Sequence, residues 1–243
     1  MPRVLITRPE PGASKTARKV RGMGFTPLVL PLTRIESLPA IPSVESSDFA
    51  AIALTSPNSA RHAPPELVRS LAGLPAYAVG SATAAVACEA GFNVVDESAG
   101  DAEGLHRVIA ERVTPGAGIL VLCGRVRRSV LEQGLRDSGY APRLVEVYDT
   151  VPASPSDDEI AAVLGSGPVD AVLLYSAYAA EEFLRLIEGA GTSHMFETAR
   201  FIVMSARIGE QLPAALRARA AVAPEPNEDA MLSTLAGNLP HFN

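Results

Sequence analysis

The feature that most restricts this chain is that it repeats itself, with four blocks recurring in the same order. The first opens with Val4-Leu5-Ile6-Thr7 and, after a helical stretch, reaches Gly24-Phe25-Thr26-Pro27-Leu28-Val29-Leu30. Its partner opens with Ile119-Leu120-Val121-Leu122 and reaches Gly139-Tyr140-Ala141-Pro142-Arg143-Leu144-Val145. Gly24 and Gly139 stand 115 residues apart, and so do Pro27 and Pro142. Ala51-Ile52-Ala53-Leu54-Thr55-Ser56 is echoed by Ala171-Val172-Leu173-Leu174-Tyr175-Ser176, and Tyr77-Ala78-Val79-Gly80-Ser81-Ala82 by Phe201-Ile202-Val203-Met204-Ser205-Ala206. The last echo, Gly100-Asp101-Ala102-Glu103 with Pro226-Asn227-Glu228-Asp229, is fainter. The shared Gly-aromatic-x-Pro goes beyond hydrophobicity, so the series indicates a duplicated unit.

The strand candidates are short, continuous apolar runs: 4–6, 28–30, 52–54, 77–79, 94–95, 119–122, 144–147, 172–174, 202–204 and 221–223. They do not alternate apolar with polar, which suits parallel strands buried on both faces. Helical stretches lie between them at 14–23, 83–90, 103–112, 128–138, 179–188 and 208–217, with Gly24, Gly91 and Gly139 placed as C-terminal caps. Pro64-Pro65 predicts two short helical pieces after Asn58, with Pro65 in the first turn of the second. Alternating strands and helices predict open parallel sheets with helices on both faces.

In such sheets ligands bind beyond the carboxyl ends of the strands. There the chain reads Thr7-Arg8, Thr55-Ser56-Pro57-Asn58-Ser59, Gly80-Ser81-Ala82-Thr83, Gly124-Arg125, Ser176-Ala177-Tyr178 and Ser205-Ala206-Arg207. Each turn leads into a helix N-terminus, whose free N–H groups favour carboxylates or phosphates. Ser, Thr and Asn also cap helices in any protein; six such turns together point to an anion-binding cleft.

Other chemistries find no support. No GxGxxG follows a strand, and there is no GxxxxGK[ST] loop, GxSxG elbow or HExxH. His62, His106, His194 and His241 lack ligand spacing, and Cys88 and Cys123 form no CxxC, so they read as thiols of a reducing compartment. Asp157-Asp158 after a Pro-rich stretch reads as a helix start. A net charge of −6 argues against a nucleic-acid binder. No apolar run reaches the roughly 18 residues of a membrane span, and the N-terminal run is too short for a signal peptide; the cytoplasm is the expected compartment. The residues alone stop at an anionic small-molecule binder, or an enzyme that works mainly by positioning.

The ordered motifs resemble the uroporphyrinogen-III synthase family over essentially the whole chain. The residues that carry the likeness are Leu5-Ile6-Thr7-Arg8-Pro9, Gly24-Phe25-x-Pro27 with Pro31, Thr55-Ser56-Pro57-Asn58-Ser59 and Ala78-Val79-Gly80-Ser81-Ala82-Thr83-Ala84. Gly124 with Arg128 and Leu131, and Val147-Tyr148-Asp149-Thr150, complete the set. The resemblance implies two flavodoxin-like α/β domains joined by a two-stranded linker, with the active-site cleft between them. Domain one would be discontinuous, 1–32 and 151–243, domain two 37–146, and the linker strands 33–36 and 147–150.

It also implies the substrate, hydroxymethylbilane, a linear tetrapyrrole with eight carboxylates, and its upstream donor, hydroxymethylbilane synthase. The reaction removes the terminal hydroxyl as water and closes the ring, inverting the last pyrrole; no cofactor or metal is implied, and a monomer would suffice. Tyr148 matches the family's tyrosine and is expected as the general acid. Arg8, Arg128 and Arg207 are expected to pair with substrate carboxylates, ahead of Arg125 and Arg127. Thr55, Ser56, Asn58, Ser81, Thr83, Ser176, Tyr178 and Ser205 would offer hydroxyls, amides and helix N-termini. The competing reading is a non-catalytic cytoplasmic sensor or binding module for an anionic metabolite.

Overall fold

A computed structural model describes residues 1–38, 44–189 and 191–239. Its contacts divide the chain into two compact units, Met1–Arg34 with Val151–Asn243 (unit one) and Ile35–Thr150 (unit two). The strands are β1 Arg3–Ile6, β2 Thr26–Val29, β3 Thr33–Ser37, β4 Ala51–Leu54, β5 Pro75–Ala78, β6 Asn93–Asp96, β7 Gly118–Gly124, β8 Ala141–Pro152, β9 Ala171–Leu174, β10 Arg200–Val203 and β11 Ala220–Val222. The helices are α1 Gly12–Gly22, α2 Pro57–Arg61, α3 Pro65–Leu71, α4 Ser81–Ala90, α5 Ala102–Arg112, α6 Val130–Asp137, α7 Asp157–Leu164, α8 Ala177–Gly189, α9 Ala206–Gly209, α10 Ala214–Arg217 and α11 Glu228–Asn238.

Unit one is a five-stranded sheet in the order β2-β1-β9-β10-β11, with every registered pair parallel. Taken in order of appearance this is 2-1-3-4-5, the flavodoxin arrangement. Unit two reads β3-β8-β7-β4-β5-β6. Counting β7 first and β8 second gives the same 2-1-3-4-5, with β3 added outside β8. The block β1-α1-β2 therefore completes a sheet whose other strands lie in the second half of the chain, and β7-α6-β8 completes one whose other strands lie in the first half. Leu38 N–H donates to Val147 O at 3.1 Å and Ala153 N–H to Leu32 O at 3.0 Å. These bonds run in opposite order along β3 and β8, the pattern of an antiparallel pair.

The apolar strand runs are buried as their continuity requires. Ala51–Leu54 and Ala171–Leu174 are fully inaccessible. Each sheet separates two apolar layers. In unit one Leu5, Val172, Leu174, Phe201 and Val203 pack with α7 and α8 on one side, while Val4, Ile6, Ala171, Leu173 and Ile202 pack with α1 and α11 on the other. In unit two Ile52, Leu54, Leu120 and Leu122 face α3, whereas Ala51, Ala53, Ile119, Val121 and Cys123 face α5 and α6. Successive side chains point to opposite faces, so an unbroken apolar run supplies both layers at once.

The duplication extends to strand register. Val4 stands opposite Pro27 and Ala171, and Ile119 opposite Pro142 and Ala51. The third echo needs a one-residue correction: Phe201 stands opposite Val172, and Ala76, not Tyr77, opposite Ile52. Local hydrophobicity cannot separate neighbouring positions in a strand that is apolar throughout.

Proline punctuation also sets the helices. Pro65 is the first residue of α3. The single helix expected over 208–217 is instead two short pieces, α9 and α10, divided ahead of Pro213, because proline lacks an N–H and clashes with the preceding turn. Helix α11, which hydrophobic periodicity did not reveal, begins at the Asn227 cap, whose side chain accepts from Ala230 N–H at 2.8 Å. Gly91 closes α4 at φ +103°, a left-handed cap that a side chain resists.

Candidate functional site

Four of the residues expected at the site line one cavity in unit two. Thr55, Ser56, Arg128 and Tyr148 surround a space of about 190 Å³ at the carboxyl ends of β4 and β7, together with Ala102, Val121, Cys123, Gly124, Arg127, Leu131 and Glu132. Ser56 has extended backbone and caps α2, accepting from Ser59 N–H at 3.2 Å. Its hydroxyl lies 3.0 Å from the Tyr148 phenol. Thr55 Oγ1 donates to Leu122 O at 3.5 Å, across the gap between β4 and β7.

Tyr148 reaches this position through a slip in register. Cys123 stands opposite Glu146, but Gly124 stands opposite Tyr148, so β8 carries one extra residue there. Irregularities of this kind re-aim side chains near strand ends. The phenol ring then lies directly against Gly124: a Cβ on that residue would sit 2.6 Å from Tyr148 Cζ and 2.9 Å from its hydroxyl. Glycine is required here for close approach. Burial raises the Tyr148 pKa, outweighing the bond from Ser56 that lowers it, so the phenol keeps its proton at neutral pH. His62, whose sequence spacing gave no reason to single it out, places its ring centroid 5.9 Å from that of Tyr148 and its Nδ1 2.8 Å from Ser37 Oγ.

The three arginines after β7 differ in their commitments. Arg125 pairs with Glu146 at 3.4 Å and Asp149 at 3.1 Å; Arg127 pairs with Glu132 and Glu146, both at 2.7 Å. The Arg127 bond, followed by the opposing effect of burial and the bond from Arg125, leaves the Glu146 pKa below the usual carboxylate range. Arg128 is exposed and makes no ion pair among the described residues. Cys123 is 1% exposed, and burial pushes its thiol up to about 11, which removes it as a nucleophile. Glu132 was not anticipated as a site residue, because a Glu in a first helical turn ordinarily serves the helix.

The other candidates are not among the residues that line this cavity. Asn58 Oδ1 accepts from Arg61 at 2.7 Å on α2. Ser81 is exposed at the start of α4, whereas Thr83 is 2% exposed and belongs to the interior of its unit. In unit one Ser176 caps α8, accepting from Ala179 N–H at 3.1 Å, in the same role that Ser56 has in unit two. Tyr178 is half-buried on α8, Ser205 precedes α9 without a side-chain cap, and Arg207 is exposed. Among the described residues no three His, Cys, Asp or Glu side chains gather as a metal site, and no helix is long and apolar enough to cross a membrane. His241 lies outside the described residues.

Arg8 has a different setting from that expected. It pairs with Glu228 at 3.0 Å and lies 4.3 Å over the centroid of Tyr175. Glu228 also accepts from Thr16, and from Lys19 at 2.8 Å. Burial opposes the charge of Glu228, but Lys19, Thr16 and Arg8 together hold its pKa below the ordinary value.

The duplication explains this cluster. The offset that equates Val4 with Ile119 also equates Arg8 with Cys123 and Thr16 with Leu131; Tyr175 corresponds to Thr55, and Glu228 to Ala102, each of the latter pair being the first residue of its helix. Three side chains that bound the cavity in unit two, Cys123, Thr55 and Ala102, thus have larger counterparts in unit one, and the fourth, Leu131, is matched by the smaller but polar Thr16. Those counterparts bond to one another and fill the equivalent place.

The family model described as "HEM4: Uroporphyrinogen-III synthase HemD" matches residues 14–233. Two solved structures share the fold. One is uroporphyrinogen-III synthetase from Helicobacter pylori, with 18% identity, TM-score 0.65, and coverage of 98% of this chain and 99% of that one. The other is a mutant uroporphyrinogen III synthase from Thermus thermophilus, with 20% identity, TM-score 0.56, and coverage of 98% and 97%. With a family match over nearly its whole length and that fold in both units, the chain belongs to the uroporphyrinogen-III synthase family.

Proposed function

We propose that this chain closes hydroxymethylbilane to uroporphyrinogen III, with Tyr148 as the general acid that expels the terminal hydroxyl. The observation that carries the reading is the Tyr148–Ser56 pair at 3.0 Å on the wall of a cavity that also holds Arg128, which has no ion pair among the described residues. The family supplies the activity; the cavity supplies the parts.

The chemistry asks little beyond them. The C–O bond of the hydroxymethyl group breaks, and the oxygen leaves as water with the phenol proton. The ring is left as a cation delocalised onto its pyrrole nitrogen. The far terminal ring attacks the former hydroxymethyl carbon through the α-position that already carries the chain, giving a spiro intermediate. Its old bond to the chain then breaks and re-forms at the ring's free α-carbon, which inverts the ring, and the proton displaced from that carbon returns to the phenolate. Unaided closure proceeds without inversion, so selectivity depends on holding one folded shape of the substrate. Arg128 would take a substrate carboxylate, being free of the internal pairs that engage Arg125 and Arg127. Ser56 steers the phenol and, through its cap on α2, fixes it to the end of β4.

The test supplies purified protein with hydroxymethylbilane, oxidises the products and resolves the isomers. Isomer III in excess over the unaided blank is expected; isomer I alone, as in the blank, overturns the assignment. Tyr148→Phe keeps the ring and removes the proton. Its turnover is expected to fall by about 10- to 100-fold, at or below the low end of general acid catalysis, and unchanged turnover and isomer ratio would remove the acid role.

A further inference from the structure

Glu132 is a buried carboxylate with half its bonding unused. It is 3% exposed; Oε1 accepts from Arg127 at 2.7 Å, and Oε2 is buried with no hydrogen-bond partner among the described residues. Most buried polar atoms in native proteins are bonded, and an unbonded oxygen of a charged group is among the costlier exceptions.

Helix capping does not account for it. Ser129-Val130-Leu131-Glu132 has the sequence of a capping box. Neither of its bonds is made: Ser129 forms no side-chain cap, and Glu132 Oε2 does not return to the backbone. The ionic chain does not account for it either. Arg127 has a second carboxylate in Glu146, and Arg125 has Glu146 and Asp149, so each cation keeps a partner without that oxygen.

Glu132 lines the unit-two cavity with apolar Ala102, Val121 and Leu131, and with Arg128, a cation with no ion pair among the described residues. An occupant that satisfies all three has a flat apolar body, one hydrogen-bond donor and a carboxylate. A pyrrole ring bearing an acidic side chain is such an occupant, and a single ring matches a cavity of about 190 Å³. The terminal torsion of a glutamate is broad; a turn about it would bring Oε2 toward the cavity and carry Oε1 with it, while Arg127 keeps Glu146 as a partner.

We infer that Glu132 is a further catalytic residue, accepting a hydrogen bond from the N–H of the substrate ring that loses its hydroxyl while Arg128 holds that ring's carboxylate. The inference rests on the proposed function. The bond strengthens as the C–O bond breaks, because the positive charge left behind is shared by the same nitrogen. It acts therefore more on turnover than on ground-state affinity.

The experiment has a binding arm and a kinetic arm. The probes are a monopyrrole with one acetate and one propionate side chain, and its N-methyl analogue, titrated by NMR or calorimetry. Wild-type protein is expected to prefer the N–H probe by about tenfold or more, as for a hydrogen bond to a charged group. In Glu132→Met the preference should fall to near unity. Glu132→Gln keeps the shape and an acceptor oxygen but not the charge, so it should retain part of the preference while kcat falls more than KM rises. A thermal melt of each variant reports folding.

Equal wild-type affinity for the two probes, binding of neither at millimolar concentration, or a preference that persists in Glu132→Met would each overturn the inference. The last result would mean that the methyl group is excluded by shape alone. Production of isomer III by the wild type tests the proposed function separately, so the two can fail independently.

Discussion

Replacing Gly124 by alanine tests the geometry of the site without touching a functional group. The added Cβ would lie 2.6 Å from Tyr148 Cε2 and Cζ and 2.9 Å from the phenol oxygen. Carbon atoms rest at about 3.5–4.0 Å, so the ring must retreat by about 1 Å. The phenol sits 3.0 Å from Ser56 Oγ, and a retreat of that size moves it beyond hydrogen-bond reach. Overpacking costs about 1–3 kcal/mol and the lost bond about 0.5–1.5 kcal/mol. Alanine recovers about 0.4–1 kcal/mol by stiffening the unfolded chain.

The net destabilisation is about 0.5–4 kcal/mol, which at about 2–4 °C per kcal/mol for a chain of this size lowers Tm by roughly 1–16 °C. Turnover should fall by about 10- to 100-fold, as in Tyr148→Phe, because the proposed acid would have moved away from the departing hydroxyl. Gly22→Ala is the control: it stands near the end of α1 with no atom within 4 Å of its added carbon. Its turnover should be unchanged and its Tm equal or slightly higher. Turnover and Tm are measured for both single variants and for Gly124→Ala combined with Tyr148→Phe. If Gly124→Ala acts through the phenol, the double variant turns over no more slowly than Tyr148→Phe alone. Full activity in Gly124→Ala, or the same further loss on the Tyr148→Phe background, would refute the reasoning.

Two further outcomes follow from the comparison of the units. Ala102→Glu copies into α5 the residue that Glu228 is in α11; an acidic first residue suits a helix N-terminus, so Tm should hold or rise. The carboxylate should reach Arg127 or Arg128 and raise KM for hydroxymethylbilane by about tenfold or more; an unchanged KM would show that the cavity does not take substrate. Glu228→Gln should lower Tm near neutral pH, because it leaves Arg8 and Lys19 without their shared carboxylate. Glu228 has a lowered folded pKa, so its stabilisation is present above its unfolded value of about 4.3 and is lost as pH falls through the folded one. Lys19 has a raised pKa, chiefly through its bonds to Glu228 and Asp229, so its share is present below about 10.4 and is lost as pH rises further. The difference in Tm between wild type and variant should therefore be flat across neutral pH and shrink below about pH 4; a difference constant down to about pH 3 would mean that the ion pair contributes nothing.

Much of this molecule is legible in its amino-acid order. Unbroken apolar runs such as Ala51–Leu54 announce strands covered on both faces, and Gly91 and Pro65 mark a helix end and a helix start, because these signals depend on backbone conformation within a few residues. The repeat of Gly24-Phe25-x-Pro27 at Gly139 announces two copies of one sheet pattern, and Tyr148, Ser56, Thr55 and Arg128 were recognisable as site candidates. What the order did not disclose is how the two copies differ. Arg8 reads as free for a ligand until Glu228, distant in the chain, is seen to occupy it, while at the matching place Cys123 and Ala102 leave room. The approach of Tyr148 to Gly124 depends on one slipped residue in β8, and the spare oxygen of Glu132 on the pairing of its neighbours. Short-range pattern determines which residues are inside a sheet layer; whether a particular place is filled or empty is settled only when side chains far apart in the chain compete for the same volume.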